Sequence, residues 1–292
     1  MRRTQLLTHT DLDGVGCAVL VQGVVENASA AQLVENGSID ERVRGVLWER
    51  LAAAREHRVL ITDHGIQEET AVLVEEFLAA GGELALLDHH RSSEHLAGKP
   101  WATIDESHSA TGLLFRLLGC PDQYRDFARL VEDHDLWRHQ DPRSARLAAL
   151  VGLLGHQRFQ ARFGASPEVA FTEAERLVLD LEEQRRESYL ARKSEQAILR
   201  DLRGVAWAVC YAESYQSELA ERLMSRFGAE ATAIVNPSKR TVSLRGRTVD
   251  VAAIAERQGG GGHARAAAFT FRNAPAELAL EHFEETLQDL LG

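Results

Sequence analysis

Apolar and polar positions alternate in blocks along the first half of the chain. "RRTQLL" (2–7), "RVLITD" (58–63) and "ELALLD" (83–88) are short apolar runs of strand length. Between them lie longer stretches with helical periodicity: "GVGCAVLVQGVV" (14–25), 39–56 and 67–80. Repeated strand–helix alternation predicts a parallel sheet with helices on its faces. "ATGLLFRLLG" and "DQYRDFARLVED" continue as helices, the second delivering "DHDLW" (133–137). From 143 to 200 the pattern is almost wholly helical, and "EAERLVLDLEEQRRESYLARKSEQAILRDL" (173–202) has the solvated, alternating-charge face of one long helix.

Beyond about residue 200 the period changes. "GVAWAVC", "ATAIVN", "RTVSLRG" and "AFTF" read as strands, with helices at "SELAERLMSRFG", "DVAAIAER" and the C-terminal end, and a loop at "QGGGGHARAA". The fold class is therefore α/β: an N-terminal parallel-sheet domain over 1–165, a helical linker over 166–200 and a smaller α/β domain over 201–292. No internal repeat or low-complexity segment interrupts this order.

Composition narrows the class. The 292 residues are 45% hydrophobic and 26% charged, the balance of a globular protein. No apolar run approaches a membrane span, and "MRRTQLLTHTDLDG" lacks the apolar core of a secretory leader, so a cytoplasmic location without membrane contact is expected. A net charge of −11 argues against a binder of long duplex, but leaves room for a short anion held by cations and a few arginines. Cys17, Cys120 and Cys210 have no C-x-x-C spacing and read as small buried hydrophobes.

The chemistry lies where strands end. "THTDLDG", "ITDHG" and "LLDHH" each follow an apolar run with ligand-type side chains. In a parallel sheet those ends share one edge, so Asp11, Asp13, Asp63, Asp88, His89 and His90 are expected to converge. Taken singly, Asp63 has the position of a helix N-cap and the two histidines that of loop residues. Together, so many like charges need cations. Carboxylates with imidazoles suit Mn²⁺ or Mg²⁺, and a pair of such ions assists phosphoryl displacement.

The glycine run has its own logic. Gly260, Gly261 and Gly262 let successive backbone N–H groups face one concavity, and His263 follows at once. A flexible hairpin is the alternative. Arg245, on the neighbouring predicted strand, offers a bidentate phosphate grip, and Arg265 is a further cation nearby. The remaining histidines (His57, His95, His139, His156, His282) have no ligand spacing and read as solvated. Ser109 reads as a helix N-cap, which accounts for "ESHSATG" including His108. The four tryptophans read as core or interface residues, Trp137 beside "DHD" being the one to follow.

"LLDHH" together with "HTDLDGVG", "ITDHG" and "DHDLW" resembles the motif series of the DHH phosphoesterase superfamily, and "VSLRG" with "GGGGHARAAAF" resembles its DHH-associated C-terminal domain. The resemblance spans most of the chain, with 136–200 the least anchored part. It implies metal ligands at His9, Asp11, Asp13, Asp63, His89 and Asp135, with Asp63 bridging two Mn²⁺ ions, Mg²⁺ being the alternative. Asp88 would orient His89, and His90 would face the scissile phosphate. Arg245, Gly260 to Gly262, His263 and Arg265 would hold the far end of the substrate across an interdomain cleft. His9 stands two residues before Asp11 rather than the four common in the family, nearer to the RecJ-type and nanoRNase B patterns.

The implied activity is a nanoRNase-type exonuclease that degrades very short single-stranded RNA or DNA to mononucleotides. Phosphatase action on phosphoadenosine phosphate, hydrolysis of cyclic or linear dinucleotides, and RecJ-like cleavage of single-stranded DNA are the alternatives. A non-catalytic nucleotide-binding relative is the rival of another class. A homodimer is left open.

Overall fold

The computed structural model describes residues 2–35, 37–202 and 204–271. The final predicted helix and His282 lie outside the described residues. The chain divides into two compact units, Met1–Leu179 and Asp180–Gly292.

The first unit alternates strand and helix as the pattern requires: β1 (Arg3–Thr8), α1 (Leu12–Val24), β2 (Gln32–Leu33), α2 (Ile39–Arg50), β3 (His57–Thr62), α3 (Glu68–Ala79), β4 (Glu83–Asp88) and β5 (Ala102–Ile104). Four helices follow, α4 (Ala110–Leu117), α5 (Arg125–Asp135), α6 (Pro142–Leu154) and α7 (His156–Ala165). The described strands pair in parallel in the order β2-β1-β3-β4-β5. Successive side chains leave a strand on opposite faces. Leu6, Leu60 and Leu87 therefore pack with α1 and α4–α7, while Leu7, Val59, Ile61 and Leu86 pack with α2 and α3. Burying each such side chain contributes about 1.5–3 kcal/mol, which makes a core on both faces the stable arrangement.

Strand order reverses beside β1, since β2 lies on one side and β3 on the other. Open α/β sheets bind ligands at the carboxyl ends of strands flanking such a switch point. Register brings those ends level: Thr8 pairs with Thr62, and Thr62 with Leu87. A buried hydroxyl chain ties them together, with Thr62 Oγ1 donating to Thr8 Oγ1 at 2.7 Å and Thr8 Oγ1 to the Gly14 carbonyl at 3.1 Å.

The helix α8 (Glu173–Gln196) begins in the first unit and ends in the second. It stops before the end of the stretch with helical patterning: "ILRDL" is instead β6 (Ile198–Leu202), antiparallel to β7 (Val205–Tyr211). Backbone pairing outweighs the weak helical pattern of these five residues. The rest of the second unit is α9 (Gln216–Phe227), β8 (Ala231–Asn236), β9 (Thr241–Gly246), α10 (Val251–Glu256), β10 (Gly261–His263) and β11 (Ala266–Thr270). Its described strands form a mixed sheet in the order β10-β11-β9-β8-β7-β6. Leu219 and Leu223 of α9 pack on Ala208 and Ile234, while Val251 and Ala255 of α10 pack on Trp207, Leu244 and Ala267. Cys17, Cys120 and Cys210 are free and buried. Among the described residues no helix is long and apolar enough to cross a membrane.

Candidate active site

The site begins at the end of β1. His9 and Asp11 follow the strand, and Asp11 caps α1 by accepting from the Gly14 amide at 3.1 Å. Gly14 is required for this close return, because a Cβ there would lie 2.2 Å from the His9 carbonyl oxygen. Asp13, in the first turn of α1, is buried. Its two carboxylate oxygens accept from the Ala110 and Thr111 amides at 2.7 and 2.9 Å, at the N-terminus of α4. Ser109 caps that helix, as its sequence position indicated.

Asp63 follows β3 with a backbone φ of 58°, a left-handed conformation uncommon for a non-glycine residue. It is not a helix cap, since Gln67 occupies that position for α3. Both of its carboxylate oxygens are buried without a hydrogen-bond donor, as is Oδ2 of Asp135 at the end of α5. Stranding acceptors in this way is costly unless something else binds them.

Distances define what that must be. His9 Nδ1 lies 2.9 Å from Asp11 Oδ2 and 3.7 Å from Asp63 Oδ2. His89 Nε2 lies 3.4 Å from Asp63 Oδ1, 3.3 Å from Asp135 Oδ2 and 3.9 Å from Asp13 Oδ2. His9, Asp11 and Asp63 thus form one group, and Asp13, His89 and Asp135 another, each with donor atoms within 4.8 Å of one another. A third grouping links Asp63 with Asp88, His89 and His90. The fold brings together all six residues of the implied ligand set.

Electrostatics call for added positive charge. Burial, then the nearby charges of Asp11, Asp13 and Asp135, pushes the Asp63 carboxyl well above the usual range. Burial, then Asp13 and Asp11, pushes Asp135 up to about 9, and burial with Asp11 pushes Asp13 up to about 6. For Asp11, burial is outweighed by the hydrogen bond and charge of His9, which hold it below the carboxylate range. Buried oxygen acceptors, two imidazoles and excess negative charge fit hard divalent cations such as Mn²⁺ or Mg²⁺.

Asp88 is buried and engages both histidines of its motif. Its Oδ1 accepts from the His90 ring Nδ1 at 2.8 Å and from the His89 backbone amide at 2.9 Å, and its Oδ2 accepts from the Ser93 hydroxyl. The ring it orients by this short bond is His90. Burial of Asp88 is outweighed by these donors, so its pKa lies below the usual value, and Asp88 in turn raises that of His90 against the effect of burial. Sequence reasoning missed Ser93, which has no motif of its own. It also missed His64, a buried ring edge-on to His9 at 5.0 Å whose Nε2 lies 3.0 Å from the Val34 carbonyl. Its place in "ITDHG" was the available signal. Asp133, two residues before Asp135, accepts from Gln140, Asp141 and Ser144.

In the second unit the glycine run is a tight hairpin. Gly262 has φ 139°, and Cβ atoms at Gly260 and Gly262 would lie 2.1 and 2.5 Å from the Ala268 and Ala266 carbonyl oxygens, whereas one at Gly261 would meet nothing within 4 Å. Ala266 pairs with His263 on one side and Arg245 on the other. Directly paired residues share a sheet face, so Arg245 and His263 flank a small alanine with their Cα atoms ~10 Å apart. Arg245 donates to Ser217 Oγ at 2.7 Å near the start of α9. Arg265, exposed, lies in the β10–β11 turn.

A parallel-sheet edge carrying two aspartate–histidine groups, followed by a smaller mixed-sheet unit, defines the class: the chain belongs to the DHH phosphoesterase superfamily. It is 30% identical over 298 residues to oligoribonuclease NrnB of Bacillus subtilis (strain 168), covering 94% of this chain and 74% of that protein. Residues 213–292 match the DHHA1 domain family. Among solved structures, the DHH domain of a member of a ribosomal-protein family has a TM-score of 0.61 at 14% identity, over 98% of this chain and 86% of that one. A pGpG-specific phosphodiesterase, PggH of Vibrio cholerae, has a TM-score of 0.56 at 12% identity, over 98% of this chain and 99% of that one. At these identities the structures establish the fold.

Proposed function

We propose that the protein is a cytoplasmic, Mn²⁺-dependent exonuclease that hydrolyses very short single-stranded oligonucleotides to mononucleotides. The observation that carries this reading is Asp63, a buried carboxylate with no donor of its own, set between two groups of aspartate and histidine. The relationship to an oligoribonuclease supports the substrate class.

In this reading His9, Asp11 and Asp63 would hold one ion, and Asp13, His89 and Asp135, with Asp63, would hold the other. Bound divalent ions supply Lewis acidity toward the phosphate and acidify water. Asp13 is fixed for this role by the α4 amides, which leave its carboxylate little freedom. Asp88 holds the His90 ring through Nδ1 and favours its charged form, so that Nε2–H is the donor offered to the scissile phosphate. Arg245, the Gly260–Gly262 hairpin and His263 are residues suited to gripping a phosphate, with Arg265 beside them.

A panel with Mn²⁺ tests this reading. It compares di- to pentaribonucleotides, matching deoxy-oligomers, phosphoadenosine phosphate, and cyclic and linear dinucleotides. Fastest turnover on the short ribonucleotides is expected. Preference for phosphoadenosine phosphate or for long single-stranded DNA would replace it.

A further inference from the structure

Residues 136–141 leave α5 directly after Asp135 and form a loop that the metal-binding groups do not use. Two of its residues, Trp137 and His139, have φ of 54° and 48°. Side chains reach that region only where the surroundings enforce it. Asp133 does so here. Its carbonyl accepts from the Arg138 and His139 amides at 2.9 and 3.3 Å. Its carboxylate accepts from the Gln140 and Asp141 amides at 2.9 and 3.2 Å, and from Ser144 Oγ at 2.6 Å. Arg138 donates to Glu132 Oε1 at 3.0 Å and to the Ser107 carbonyl at 2.8 Å. The loop is thereby stitched to the segment entering α4, where Asp13 is anchored.

What this rigid loop presents is an indole. Trp137 is 43% exposed and Trp48, on α2, 64%, while Trp101 and Trp207 are core residues at 6% and 8%. The His139 ring stands edge-to-face against it at 4.3 Å between centroids, and His134 lies 6.1 Å away. A large aromatic ring is thus held at the surface, braced, two residues from a carboxylate of the metal site.

We propose that Trp137 is a base-stacking platform for the nucleotide whose phosphate lies at the Asp63 cluster, with Asp133 as its positioning residue. This rests on the reading of the site as one that processes nucleotides. Every base has a π face, so the contact adds affinity without base preference. It replaces the core-or-interface expectation for this tryptophan.

Two measurements decide it. Adenosine monophosphate should quench the protein's tryptophan fluorescence and ribose 5-phosphate should not, and Trp137→Phe should lose the quench. This readout needs no turnover, so it stands even if no oligonucleotide is hydrolysed. An equal quench in Trp137→Phe, or from ribose 5-phosphate, overturns the proposal. In turnover, Trp137→Ala should lower kcat/KM for a ribodinucleotide by about five- to 150-fold, mainly through KM, with Trp137→Phe recovering most of it. Asp133→Asn should also raise KM. A loss of the same size on an abasic dinucleotide analogue would mean a structural role and overturn the platform.

Discussion

Asp135 Oδ2 lies 3.3 Å from His89 Nε2, and the same nitrogen is 3.4 Å from Asp63 Oδ1. Three elements meet at this nitrogen: the end of β3, the end of β4 and the last turn of α5. Without a cation, the buried Asp63 and half-buried Asp135 carboxylates crowd one imidazole, and both are pushed toward their protonated forms. The arrangement is the signature of a site built around charge that the polypeptide itself does not supply.

Asp63→Asn removes a buried charge while keeping a side chain suited to its left-handed backbone. The metal-free variant should be at least as stable as the wild type. Wild-type protein should gain about 2.7 kcal/mol at a metal concentration 100 times Kd. Thermal melts with and without Mn²⁺ check this: the variant should lose most of that gain, and an unchanged metal-induced shift in Tm would contradict the bridging role.

The pH dependence has a definite sign. Asp63 and Asp135 have folded-state pKa values raised above the unfolded ones, Asp135 to about 9. Their contribution to metal-free stability is complete below the unfolded carboxylate range and is lost as pH rises through the folded values. Metal-free Tm should therefore fall between pH 6 and pH 9. Mn²⁺ must displace the same protons, so its affinity should rise over that interval, with proton release visible as a buffer-dependent heat of binding. Affinity that is flat with pH would contradict the assignment.

The Asp88–Ser93 contact is checked through Gly65. A Cβ at Gly65 would lie 2.1 Å from Ser93 Oγ and 3.6 Å from Asp88 Oδ2. Gly65→Ala should cost about 1–3 kcal/mol of stability through this overlap. Combining it with Ser93→Ala should recover part of the loss, a coupling that a double-mutant cycle in denaturant measures directly. Strict additivity would show that Ser93 is not the obstacle.

The strand ends were legible because the parallel sheet converts sequence into position: "ITD" and "LLD" end level once β3 and β4 pair. Asp135 was legible from its motif, whereas the turn of Asp133 toward residues 140–144 is something no local pattern encodes. The extent of α8 was not legible because "ILRDL" keeps helical composition, and only pairing with β7 makes it a strand. That Asp88 takes the His90 ring escapes the sequence for a similar reason. Which neighbouring ring receives a carboxylate depends on the turn after β4, and the sequence "DHH" permits either.

Arg245 and His263 are assigned to substrate grip. Losing a charge-assisted phosphate contact costs about 1.5–3 kcal/mol, or roughly ten- to 150-fold. Arg245→Ala should lower kcat/KM for oligonucleotides by that amount and hardly change hydrolysis of bis-p-nitrophenyl phosphate, while Asp135→Ala should damage both. Equal loss on both substrates for Arg245→Ala would assign the arginine to the fold or the metal centre instead.

The most direct measurement follows mononucleotide release from an end-labelled triribonucleotide by metal-stripped protein, titrated with Mn²⁺, for the wild type and Asp63→Asn side by side. The expected result is no release without metal, release that rises with Mn²⁺ for the wild type, and none for Asp63→Asn at any concentration. Release by the stripped protein, or by Asp63→Asn at the wild-type rate, would contradict the account.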